Sequence, residues 1–470
     1  MSAATQPPFF TLPTETAIPL YRVTPSSLPS LLEKLPPAQA QWVRAAGFEA
    51  TPGRSLLLPG EDHSVAGVLI GVDAAQPLWQ LAALPRVLPP GVYTLAEATE
   101  PEHTTLLLLG WALGALPSSK QTSTNTAHPV GAAQLQASQA EQELITPLAT
   151  AIGEVRRLVN LPANQLGPTQ LAANVRQLAE RHDAEYREWV GDALPDAGFA
   201  LVHAVGQAAA DAPRVAQLRW GDASHPHVVL IGKGVCFDTG GLDLKPATGM
   251  RWMKKDMGGA AHAIALAGLV IAAQLPVQLT LVVPAVENAV GAGALRPGDI
   301  VKAGNGLLVE IENTDAEGRL ILADALHHAL KDTSHAPALV IDLATLTGAA
   351  RMALGPELPA LFSNHDGWAH ELLAQAQQQA DPLWRLPLWA PYRSMLKSDH
   401  ADTLNASTAP LGGAITAALF LENFVPKHVP WLHLDLFAWN LEERPGRPKG
   451  GEAQGLRALF ALLAQRFPKA

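Results

Sequence analysis

The stretch His227-Val228-Val229-Leu230-Ile231-Gly232-Lys233-Gly234-Val235-Cys236-Phe237-Asp238-Thr239-Gly240-Gly241 decides how the fold is read. Residues 227–231 form a short apolar run of the length and composition of a strand buried on both faces. The run breaks into glycines that flank a lysine and an aspartate. Glycine lets the backbone turn sharply and approach a ligand closely. Open α/β sheets bind ligands beyond the carboxyl ends of their strands. A charged, glycine-rich segment directly after a buried strand therefore marks a candidate site.

Outward from this point, strands and helices alternate from about residue 150 onward. The spacing predicts a buried helix over Ala260 to Ala273, strands at Leu279 to Val283 and Ala338 to Leu343, and a helix over Leu320 to Leu330 between strands. Residues 308–312 read as a further strand that runs straight into Asp315. A polar loop over Glu442 to Glu452 precedes a last helix at about 453–466. Towards the N-terminus, Val65 to Ile70 and Thr104 to Leu109 read as strands. Residues 117–137, rich in Ser, Thr, Gln, Ala and Gly, read as an exposed linker. Leu144, Leu148, Ile152, Val155 and Val159 recur at helical spacing, and Pro162 ends that helix. The expected fold class is α/β, with two domains, each a mixed β-sheet flanked by helices. The expected boundaries are 1–137, a connecting helix over 138–162, and 163–470.

The length of 470 residues agrees with two domains. An apolar fraction of 48% with 16% charged residues describes a globular chain. The formal net charge of −10 has the wrong sign for general attraction to nucleic acid. A single cysteine, Cys236, excludes an internal disulfide and a Cys-based zinc site. The N-terminus shows no basic region followed by an apolar run, and no segment is read as reaching the roughly 20 apolar residues of a membrane span. The chain is expected to be soluble and cytoplasmic.

Asp238, Asp256, Asp315 and Glu317 supply carboxylates in two glycine-dense segments, 232–259 and 313–320. Several carboxylates held close together repel unless cations lie between them, and two divalent ions about 3.5–4 Å apart would resolve that repulsion. Asp315 and Glu317 are two apart, so in an extended or turn conformation their side chains point the same way. The residues alone leave a plainer reading open: turn residues and helix caps, with Asp256 capping the helix that follows. Lys233 does not sit in a Walker-type phosphate loop, since no Ser or Thr follows it.

Taken together, Asn313-Thr314-Asp315-Ala316-Glu317-Gly318-Arg319-Leu320, Gly232 to Gly241 and Asp256 to Ala261 resemble the leucyl (cytosol) aminopeptidase family. Segments 157–164, 342–348, 384–389 and 413–421 resemble it too, so the likeness covers roughly 150–470. The resemblance implies a C-terminal metallopeptidase domain that releases N-terminal residues, leucine-like ones preferred, by a two-metal-activated water. It implies two divalent cations per subunit (Mn2+ or Zn2+) on Lys233, Asp238, Asp256, Asp315 and Glu317, with Asp238 and Glu317 bridging. Lys245 and Arg319 match the catalytic side chains, with bicarbonate at Arg319. Met253, Thr345 and Gly348 match the pocket for the first side chain. The implied partners are peptides with a free N-terminus and five further copies in a homo-hexamer. Two-metal hydrolysis of another substrate class, such as phosphate esters, and an additional DNA-binding role are the alternatives.

The chain departs from the family pattern in places. Cys236 replaces a Thr or Ser and reads as a small buried hydrophobe. Lys254-Lys255 is more basic than usual, and the segment after Asp435 departs from the family's run of small residues. His327-His328 reads as surface or packing, and Asn405-Ala406-Ser407 as a glycosylation sequon left unused.

Overall fold

The computed structural model describes residues 9–62, 64–97, 99–117, 132–331 and 336–469. The apolar run at 227–231 is the strand His227–Gly232, buried from Val228 onward. It lies inside a nine-stranded sheet whose edge-to-edge order is Trp384–Arg385, Ala360–Ser363, Trp431–Asp435, Leu339–Ala344, His227–Gly232, Gln278–Asn288, Arg214–Trp220 and Glu185–Val190. A ninth strand, Gly234–Asp238, pairs with the far end of Gln278–Asn288. The central strands Trp431–Asp435, Leu339–Ala344, His227–Gly232 and Gln278–Asn288 are parallel. Their carboxyl ends therefore share one edge, and Lys233, Asp238, Thr345 and Asp435 all stand there. The strands Arg214–Trp220 and Glu185–Val190 are antiparallel additions, so the sheet is mixed.

The helix Gly258–Ala272 is buried along almost its whole length. Two glycines set how closely it meets the sheet. A Cβ on Gly259 would lie 2.0 Å from the Leu343 carbonyl oxygen, and one on Gly232 would lie 2.5 Å from Ala260 Cα. Side chains at these positions would push the helix away and carry Asp256 with it. Met253–Ala272 is long and apolar enough to cross a membrane, and 89% of that window is buried inside the protein. This corrects the expectation that no stretch reaches spanning length; an all-round apolar helix at the centre of a sheet has the same composition as a span.

Contacts divide the chain into two compact units, Met1–Gly153 with Glu442–Pro448, and Glu154–Leu441 with Lys449–Ala470. The division falls within the helix Gln139–Asn160, which was expected to connect two domains. The first unit carries a six-stranded sheet in the order Phe10–Thr11, Ala133–Gln136, Gly91–Leu95, Ile18–Val23, Val65–Gly71 and Ser55–Pro59, parallel except for its last pair.

Three local expectations need correction. Thr104 to Leu109 is not a strand but part of the helix Pro101–Ala115, buried continuously from Leu106. A helix apolar on every side shows no period, so a leucine run inside it looks like a strand. Gly110 and Gly114 let it approach its neighbours: a Cβ there would lie 1.8 Å from the Leu78 oxygen and 2.0 Å from the Ala82 oxygen. Of the expected linker, 118–131 lie outside the described residues, whereas Ala133–Gln136 is a strand within the first sheet. The strand before Asp315, Leu308–Glu310, belongs to a separate three-stranded sheet with Ile300–Lys302 and Thr403–Leu404. It does not deliver Asp315 from the main sheet's edge, as the alternation suggested.

Candidate metal centre

Lys233 follows the strand His227–Gly232, and its backbone is pinned on both sides. Its N–H donates to the Leu343 oxygen (2.9 Å), and its carbonyl accepts from Ala260 N–H (2.8 Å). The side chain, 2% exposed, puts its ammonium 2.8 Å from Asp256 Oδ2 and 3.0 Å from Glu317 Oε1. A third bond goes to the Thr345 carbonyl at 2.9 Å. Burial opposes the ammonium's charge, but Asp256, Glu317 and Asp238 outweigh it and hold the pKa above the ordinary lysine value. The side chain passes over Gly318, where a Cβ would lie 2.4 Å from Lys233 Cε.

Asp238 ends the strand Gly234–Asp238. Asn288, at the end of the neighbouring strand, donates to Asp238 Oδ1 (2.8 Å) and to the Thr314 carbonyl (3.1 Å). One amide thus ties the two acidic segments together. Thr314 completes the tie. Its hydroxyl donates to the Gly240 carbonyl (2.6 Å), and its N–H donates to Asp243 Oδ2 (2.8 Å). Asp238, Asp315 and Glu317 each present an oxygen within 4.8 Å of the others'. The Lys245 ammonium lies 2.8 Å from Asp238 Oδ2 and also ion-pairs with Asp315.

Four carboxylates thus meet two ammonium groups, an excess of negative charge in a buried place. Burial and Asp238 push the Glu317 carboxyl up to about 8, and the same causes push Asp315 up to about 6. Glu317 Oε2 is buried and has no hydrogen-bond partner among the described residues. Such an oxygen, in a set rich in hard carboxylate donors, fits a divalent cation. Arg319, 7% exposed, donates from Nη1 to the Asn405 carbonyl (2.9 Å), while its buried Nε has no partner among the described residues. Burial lowers its pKa to about 10.

The alternative for Asp256 as a helix cap does not describe the structure. Met257 takes the cap position, and Asp256 Oδ1 instead accepts the Thr345 hydroxyl at 2.8 Å. Thr345 therefore supports an acidic residue directly. Met253 lies half-buried on the short 3-10 turn Met253–Lys255, two residues from Lys255. Gly348 opens the helix Gly348–Leu354, and a Cβ there would meet nothing within 4 Å.

The residue types alone missed Asn288, Thr314 and Asn405. Asn405, read as the head of an unused sequon, is fully buried. Its Oδ1 accepts from Glu312 N–H (2.8 Å) and Asn313 N–H (3.2 Å), and its Nδ2 donates to the Asn313 carbonyl (2.8 Å). It braces the loop that carries Asp315 and Glu317. The only hint in sequence was its position in a segment that follows no strong period. Cys236 is 1% exposed, in keeping with a small buried hydrophobe. His328 packs edge-on against Trp189 with ring centroids 5.0 Å apart.

Residues 154–460 match the model of the cytosol aminopeptidase family, catalytic domain, and residues 18–130 match the M17 aminopeptidase, N-terminal domain. A probable cytosol aminopeptidase of Roseiflexus castenholzii is 41% identical over 321 residues, 67% of this chain; the match spans 65% of that protein's length. Among solved structures, the cytosol aminopeptidase of Coxiella burnetii superposes with a TM-score of 0.92 at 45% identity, covering 97% of this chain and 98% of that one. The bottromycin maturation enzyme BotP in complex with Mn superposes with a TM-score of 0.84 at 32% identity, covering 96% and 99%.

Proposed function

Because the chain belongs to the cytosol aminopeptidase family, we propose that it is a metalloaminopeptidase that removes single residues from the free N-termini of peptides. In this reading Lys233, Asp238, Asp256, Asp315 and Glu317 hold two divalent cations, Mn2+ or Zn2+. The observation that carries it is the convergence of these side chains around the unpartnered Glu317 Oε2. The manganese complex of BotP supports Mn2+ as one occupant. When bound, the cations supply Lewis acidity to the scissile carbonyl and to an attacking water.

The chain's own residues do the rest. Lys233 ligates only as a neutral amine, so it gives up the proton that Asp256 and Glu317 now favour, and metal loading is proton-coupled. Lys245 remains charged beside Asp238 and stabilises the oxyanion that develops on the attacked carbonyl. Arg319 presents a fixed fork of donors with a free Nε, which suits a planar anion such as bicarbonate. Asp256 accepts from the substrate's α-ammonium or amine, so blocking that nitrogen removes the contact. Met253, Thr345 and Gly348 border the first side chain, and the apolar Met253 supports a leucine-like preference. The names of the relatives support a cytoplasmic location. Exposed Trp384, Trp389 and Leu411, at 58%, 54% and 70%, support assembly into the family's homo-hexamer.

The test strips the protein with EDTA and restores Mn2+ or Zn2+ singly. Leucine p-nitroanilide should be cleaved on restoration, with N-acetyl-leucine p-nitroanilide and nitrophenyl phosphate left intact. Cleavage of the phosphate ester and of no unblocked anilide would overturn the reading.

A further inference from the structure

Immediately beside Asp256 lies a second group of charges that the chemistry above does not use. Lys255 is 5% exposed, and its ammonium has no hydrogen bond or ion pair among the described residues. It lies 5.2 Å from the centroid of the Phe437 ring. The Arg351 guanidinium carbon lies 5.2 Å from that same centroid, and Arg351 likewise has no ion pair. Asp435 is close in sequence but committed elsewhere. Its Oδ1 accepts from Leu346 N–H (2.9 Å) and Thr347 N–H (3.1 Å), and its Oδ2 accepts the Thr347 hydroxyl. Lys254, by contrast, is satisfied: it donates to the Asn160 carbonyl at 2.7 Å. Asp256 and Asp435 lie near enough to act on Lys255, but both are bonded to other groups, so in a chain of net charge −10 two neighbouring basic groups, one of them buried, make no ion pair among the described residues and offer their donors to an anion.

Their place in the fold says which anion. Lys255 adjoins Asp256 and follows Met253 by two residues. Arg351 stands one turn into the helix that Gly348 opens, and it lines a narrow recess with Thr347 and Phe437. The turn after Phe437 packs beside Thr345: a Cβ on Gly258 would lie 2.6 Å from Ala438 Cβ and 3.0 Å from Thr345 Cγ2. The two basic residues therefore belong to the same segments, 253–256 and 345–351, as the residues assigned to the first side chain of the peptide. Bulky Phe437 and basic Lys255 stand where the sequence leaves the family pattern.

We infer that this wall receives a side-chain carboxylate, so that peptides beginning with glutamate or aspartate are substrates alongside those beginning with leucine. The inference rests on the aminopeptidase reading. An apolar pocket takes up an ionised side chain only at a large desolvation cost, whereas a pocket with two unpaired cations replaces the lost hydration.

The experiment compares kcat/KM of the Mn2+-loaded protein on the coumarinyl amides of glutamate, aspartate, leucine and lysine. The glutamyl amide should fall within about tenfold of the leucyl amide. In Arg351→Glu the glutamyl-to-leucyl ratio should drop about tenfold or more, and the lysyl-to-leucyl ratio should rise, a gain that a merely structural role would not produce. Lys255→Met should lower the glutamyl-to-leucyl ratio as well; Arg351, being exposed, carries the test if that variant fails to fold. A glutamyl amide about a thousandfold worse than leucyl in the unsubstituted protein overturns the inference and leaves the aminopeptidase reading standing. Ratios unmoved by Arg351→Glu do the same. If no unblocked amide is cleaved, the aminopeptidase reading falls and takes the pocket with it.

Discussion

Two buried polar clusters in the larger unit differ in one respect. Around His262, Gln454 and Asp381 every group is matched. His262 Nδ1 meets the Gly258 carbonyl at 2.6 Å, and its Nε2 accepts from Gln454 N–H at 2.9 Å. The Gln454 side chain accepts from Phe437 and Ala438 N–H and donates to the Pro356 carbonyl. Asp381 accepts from the N–H groups of Gly455, Arg457 and Ala458. The cluster around Lys233 is as deeply buried at Lys233, Asp238, Asp256 and Glu317 and half-buried at Lys245 and Asp315, yet it packs four carboxylates about two ammonium groups and leaves Glu317 Oε2 without a partner among the described residues. The matched cluster fixes a shape. The mismatched one holds its charges in an arrangement that stability alone does not favour, which is how groups kept for chemistry differ from groups kept for the fold.

The sharpest way to break this contrast is Glu317→Gln, which keeps the side chain's size and removes its charge. With Mn2+ present, kcat should fall about a thousandfold or more, since the most central carboxylate of the set is lost. In EDTA at pH 7 the melting temperature should stay level, because burial and Asp238, which push the Glu317 carboxyl up to about 8, already hold it largely protonated when no cation is bound. A variant that keeps its activity, or that loses stability without metal, would place Glu317 with the structural cluster instead.

Asn405 sits between the two kinds. It reacts with nothing, but it holds the backbone on which Asp315 and Glu317 are mounted. Asn405→Ala should lower kcat by about 10- to 100-fold, as removal of support behind metal ligands commonly does. It should also raise the Mn2+ concentration needed for half-maximal activity. A loss in thermal stability with an unchanged metal titration would make Asn405 a loop brace only.

These residues also mark where the sequence could be read and where it could not. Lys233 and Asp238 were legible because a buried strand leads into glycines, and the sheet edge beyond such a strand follows from elementary topology. Asp315 and Glu317 were legible through the eight-residue segment at 313–320. Asn405 was not, because its partners lie about 90 positions away and an asparagine that braces a loop looks like any other. The helix Pro101–Ala115 was misread for the opposite reason, that burial on all sides erases the period by which a helix is recognised.

The smallest effect tests the matched cluster. Burial pushes the His262 imidazole down to about 4, against the Gly258 carbonyl that favours the charged ring. The neutral ring is needed because Nε2 accepts the Gln454 N–H, and a proton placed there would confront a donor with a donor. The folded value lies below the ordinary histidine value of about 6.5. The stability His262 contributes is therefore fully present above pH about 6.5 and is lost as pH falls from there towards about 4. Between pH 7 and pH 5 the loss from this one residue is about 2 kcal/mol at most. His262→Gln cannot titrate. It should be less stable at pH 7, yet the gap between its urea midpoints at pH 7 and pH 5 should be narrower than in the unsubstituted protein. Both proteins share the acidic cluster, so its own titration cancels in that comparison. Equal gaps would mean that His262 is protonated without cost, and that the matched cluster tolerates mismatch after all.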